Sequence, residues 1–160
     1  MNVLLLLVAF AAGSAISAQA AVNSQLAGGL GGNTVVAALI SFVIGTLVLA
    51  AVAFGKGGIS DAVAHIPQQP LWRFGGGFLG AAAIFSTVLL APRIGLANML
   101  ALVIAGQLVT SITIDQFGLL GMAVRHVSSL RIAGAAVLVV GVLLMLFGDA
   151  LIRLLDKAPG

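Results

Sequence analysis

The chain has 160 residues, of which 61% are hydrophobic and only 7% charged, with no cysteine, no glutamate and a formal net charge of +3. A soluble domain carries about 25% charged residues, so this composition, with a mean hydropathy of +1.25, excludes a soluble enzyme and points to an integral membrane protein. Seven scattered Lys and Arg are too dispersed for a nucleic-acid surface, and the lack of cysteine removes disulfides, thiolate metal sites and a cysteine nucleophile.

A membrane helix needs roughly 20 mostly apolar residues to cross the hydrocarbon layer. The first such run covers about residues 2–22 and closes on "AISAQAAVN". Ala18-Gln19-Ala20 resembles a signal-peptidase site, but no Lys or Arg precedes Lys56, so a membrane helix is the favoured reading. Gln19 and Asn23 then lie four residues apart on one small, polar face.

The uncharged, glycine-rich "VNSQLAGGLGGN" predicts a tight turn or a short interfacial segment before the second span, about residues 33–54. "GKGGISDAVAHIPQQPLW" is the longest polar stretch. Ser60-Asp61 is expected to cap a short surface helix there, ended by Pro67 and Pro70, and Trp72 to anchor the third span at the interface. That third span, about 72–91, contains Gly76 and Gly80, whose small-xxx-small spacing favours close helix packing. Gly28 and Gly32 repeat the spacing. "LAPRIG" predicts a sharp turn at Pro92 into the fourth span, about 94–114. A uniformly apolar fifth span with spaced glycines, about 129–155, reads as a scaffold or dimerising helix.

Five spans put Lys56, Arg73, Arg125 and Arg131 on the side of the N-terminus, and Arg93, Arg153 and Lys157 on the other. Orientation follows the Lys and Arg of short loops, and this near-balance predicts insertion in both directions. Two opposed copies would form a ten-helix inverted repeat of the kind secondary transporters use.

The fourth span holds the most informative pattern. Gln107, Ser111 and Asp115 are spaced i, i+4, i+8, with Thr110 beside them. A mid-helix amide needs a partner, and an intramembrane carboxylate is costly enough to suggest function. Asp115, near the span's end, reads equally as an interfacial residue or as an ion- or proton-coupling group.

Together the segments "Gln19…Asn23", "ISFVIGTLVL", "GGGFLGA", "RIGLANMLALVIAGQLVTSITIDQFGLLG" and "SSLRIAGAAVLVVGVLLM" resemble, in order and over nearly the whole chain, the YdcZ family of the drug/metabolite transporter superfamily. The resemblance implies a five-helix protein of the bacterial inner membrane, in several cases an antiparallel dimer, and matches Gln19, Asn23, Gln107 and Asp115 to the family's polar positions. Gln116 stands where many relatives carry His, and Ala82-Ala83 where a Tyr is common. Small multidrug resistance proteins are similar in size and charge bias, but they rely on a membrane-embedded Glu that this chain lacks.

The expected protein is an all-α integral membrane protein, a single transmembrane domain over residues 1–160 that pairs as an antiparallel homodimer within lipid. It is expected to be a secondary transporter of a small organic solute, not an enzyme, without metal or cofactor. Gln19, Asn23, Gln107, Thr110 and Ser111 would bind the solute. The competing expectation is a non-transporting subunit that packs against another membrane protein.

Overall fold

A computed structural model of the chain describes residues 2–155. Among these residues there are six α-helices and no strand. They are α1 (Val3–Gly29), α2 (Thr34–Lys56), α3 (Ile59–Ala64), α4 (Gly75–Ile94), α5 (Leu96–Phe117) and α6 (Ser129–Leu155). Five of them, α4 together with its 3-10 lead-in from Leu71, are long and apolar enough to cross a membrane, the number expected. Lys157 lies outside the described residues.

The ends of the helices differ from expectation in three places. α1 runs through the polar stretch around Asn23 to Gly29, and only Leu30–Asn33 form the turn. The Gly32 amide returns to the Ala27 carbonyl at 2.8 Å, with Gly31 at φ +66° and Gly32 at φ +84°. Those dihedrals suit glycine. Gly28 and Gly32 therefore do not share a helix. Asn33 opens α2 by accepting the Val36 amide on its side-chain oxygen at 3.0 Å.

Pro92 sits inside the last turn of α4, where its missing amide leaves one carbonyl unbonded without interrupting the helix. Gly95, at φ +84°, makes the break instead. The short helix α3 starts at Gly58, in the left-handed region, and not at a side-chain cap from Ser60-Asp61. Trp72 is exposed at the start of the third span, and the Arg73 guanidinium lies 5.6 Å from its ring centroid. This amphipathic pair suits the boundary between headgroups and acyl chains.

The chain divides into two compact units, Met1–Arg93 and Ile94–Gly160. In the first, Ala27 of α1, Ala37 of α2 and Val88 of α4 form a buried cluster with Leu26 and Ile84 against it. In the second, α5 packs on α6, and Met99, Ala101 and Val142 are buried. Most buried residues are alanines, while Leu, Val and Phe face outward. Lipid removes the drive to hide large apolar groups, so small residues that admit close backbone approach take the interior.

Charged residues keep to the helix margins. Lys56 ends α2, Arg93 and Asp115 lie in the last turns of α4 and α5, and Arg131 is in the first turn of α6. Asp149 and Arg153 fall within the last two turns of α6.

Candidate functional site

In the first unit the polar centre is Asn23, the one buried polar residue among those described, at 5% exposure. Its Nδ2 donates to Ser41 Oγ across the α1–α2 interface at 3.2 Å. Burial follows from the alanines around it, Ala20 and Ala27 on α1 and Ala37 and Ala38 on α2, which let the two backbones approach. An amide in such a place needs a partner, because an unsatisfied one costs roughly 2–7 kcal/mol. The partner, Ser41, had no signal in the sequence beyond lying in a helix. Gln19, one turn before Asn23, is exposed. Ser14 and Ser17 return their hydroxyls to the carbonyls of Phe10 and Gly13.

A double-mutant cycle of Asn23→Ala and Ser41→Ala, read by unfolding in detergent, is expected to give a coupling of about 0.6 to 1.7 kcal/mol, the range found for hydrogen bonds between membrane helices. Additive losses would show that the two side chains act separately.

On α4, a Cβ added to Gly80 would meet the Phe42 ring at 3.7 Å, ordinary contact distance, so α2 and α4 come close there. Gly76 has no atom within 4 Å of that position.

In the second unit, Ala101, Ala105, Leu108 and Ile112 are the less exposed residues along one side of α5, at helical spacing. Gln107, Thr110 and Ser111 lie outside that stripe and are exposed. Gln107 is at the middle of α5. Ser111 Oγ donates to the Leu108 carbonyl at 3.0 Å and Thr113 Oγ1 to that of Val109 at 2.9 Å, so these hydroxyls are satisfied within the helix. Among the described residues, the side chains of Gln19 and Gln107 form no hydrogen bond. Asp115 is half-buried in the last turn.

The end of α5 is held by a clasp that sequence reasoning missed. Gly118 turns the chain at φ +61°, and the following segment folds back. The Arg125 amide donates to the Asp115 carbonyl at 2.8 Å, and the Val127 amide to Gln116 Oε1 at 2.8 Å. Gln116 thus has a structural task of its own, holding the loop between α5 and α6. The amides and hydroxyls singled out in the sequence fall into two groups, Gln19 and Asn23 on α1 and Gln107, Thr110, Ser111 and Asp115 on α5.

A family model described as "Putative inner membrane exporter, YdcZ" matches residues 4–144. The chain belongs to the YdcZ family. The match runs from the first turn of α1 past the middle of α6, and so includes every polar position above. Neither the curated proteins nor the solved structures contain a significant match. Family and helices together make this a multi-pass protein of the inner membrane with a transporter's role.

Proposed function

We propose that this YdcZ-family protein exports a small organic solute by alternating access, as a homodimer of two oppositely inserted copies. Gln19, Asn23, Gln107, Thr110 and Ser111 bind the solute near the bilayer midplane, and Asp115 couples binding to an ion or proton. Gly76 and Gly80 serve helix packing, with Gly80 already close to Phe42.

One observation carries this reading: an exposed amide, Gln107, at the middle of a membrane-length helix. Hydrocarbon offers that amide no partner, so a second copy or a water-filled cavity has to cover it. Amides and hydroxyls supply hydrogen bonds without fixed charge, which suits a neutral or weakly charged solute. Asn23 has committed its donor to Ser41 and contributes its carbonyl oxygen as an acceptor.

The orientation is tested by adding a single cysteine after Gly160, in a chain with none of its own. Labelling of intact cells with a membrane-impermeant maleimide is expected to reach about half of the chains before permeabilisation, as the weak bias of basic residues between loops requires. All-or-none labelling would overturn the opposed-copy arrangement.

A further inference from the structure

The outer face of α6 carries two interleaved rows. Leu130, Val137, Leu144 and Leu151 recur every seven residues and are 81%, 72%, 58% and 50% exposed. Between them Gly134, Gly141 and Gly148 keep the same seven-residue period, and none has an atom within 4 Å of the place a Cβ would occupy. A strict seven-residue repeat is the period of two helices supercoiled around each other, not of a straight helix in lipid. The less exposed residues of α6, including Leu138, Val142 and Leu146, mark the side packed on α5; the row of Leu130, Val137, Leu144 and Leu151 lies opposite it, and the glycine row runs along the flank, where Gly141 borders a groove shared with Ala101 and Ile104 of α5.

We infer that this face of α6 is the surface on which a second, antiparallel copy docks; the inference rests on the opposed-copy reading above and adds its interface and register. In an antiparallel pair, a small residue of one helix faces a large one of the other. Gly134 meets the partner's Leu151, Gly141 meets the partner's Leu144, and Gly148 meets the partner's Val137. Every glycine opens a hole and every hole receives a side chain. A parallel pair would stack glycine on glycine and leucine on leucine, leaving gaps between crowded layers.

The bilayer supplies an independent check on this register. Opposed helices that span the same hydrocarbon layer have their midpoints level. The glycine-to-leucine pairing puts the two-fold axis between Val142 and Leu143, and the midpoint of α6 (Ser129–Leu155) is Val142. Sliding one helix by a heptad either way would separate the midpoints by about 10 Å.

Single cysteines cross-linked in native membranes distinguish the possibilities. Leu144→Cys, about 4.5 Å along the axis from its counterpart, is expected to give a covalent dimer, whereas Leu151→Cys, about 25 Å from its counterpart, and Leu130→Cys, about 37 Å, are not. Co-expressed Gly134→Cys and Leu151→Cys chains are expected to link to each other. Gly141→Leu should lower the dimer fraction about tenfold, a change of 1.4 kcal/mol, and adding Leu144→Gly to that chain should restore it, because the swap exchanges knob and hole across the axis. Self-linking at Leu130→Cys as readily as at Leu144→Cys would overturn the inference and the opposed-copy reading together. No link through α6, with half of the C-terminal cysteines still labelled, would overturn the α6 interface alone.

Discussion

Gln107→Ala is expected to lower export at least about tenfold, the equivalent of 1.4 kcal/mol lost from the bound or transition state, while leaving insertion and dimer stability unchanged. The amide sits at the centre of α5 and is exposed, so its removal takes little from the packing of that hairpin. A solute that hydrogen-bonds there loses a partner and leaves a desolvated polar group of its own unsatisfied. The measurement is uptake into everted membrane vesicles across a panel of labelled solutes, followed by the variant with whichever solute the parent chain moves. Gln107→Glu is a useful companion, since it keeps the carbonyl and changes the charge. If export persists and the dimer weakens instead, the amide serves helix association, and the chain is better read as a packing subunit of a larger assembly.

Gly118→Val is expected to be the most damaging single change in the loop between α5 and α6, at about 3–4 kcal/mol. A β-branched residue resists the left-handed region by about 1–2 kcal/mol, and at Gly118 its Cβ would also lie 2.7 Å from Val124 Cγ2 and 3.1 Å from the Met122 carbonyl. The segment has to move away, and the Arg125–Asp115 and Val127–Gln116 bonds go with it, each contributing about 1 kcal/mol. Trypsin cleavage at Arg125 in detergent reads the result: rapid cutting in the variant and slow cutting in the parent. Equal rates would show that the clasp does not hold the loop.

The spans were legible because membrane length and apolarity are properties of a contiguous stretch. Their ends were less so. Asn23 and its polar neighbours looked like the exit from α1, yet the helix continues, because the amide finds Ser41 on α2 and the alanines beside it allow that approach. A partner eighteen residues away leaves no local trace. Pro92 suggested a turn, but the last turn of a helix tolerates it, and Gly95 is the position that needs a positive φ. The polar stripe of α5 could be read from spacing alone, whereas the clasp at Gln116 depends on where the loop returns. The seven-residue rows of α6 are plain in the sequence, but only the structure shows which side of that helix meets α5.

The placement of the charges has an electrical consequence. A membrane potential acts on charge moved through it, at about 2.3 kcal/mol per elementary charge per 100 mV. Among the described residues, every Lys, Arg and Asp within a span lies within two turns of a helix end, outside the middle of the field. In the proposed alternating-access cycle, rocking such helices between inward- and outward-open arrangements displaces almost no gating charge. The empty carrier should therefore reorient at the same rate in polarised and depolarised membranes, and any voltage dependence of export belongs to what the carrier carries.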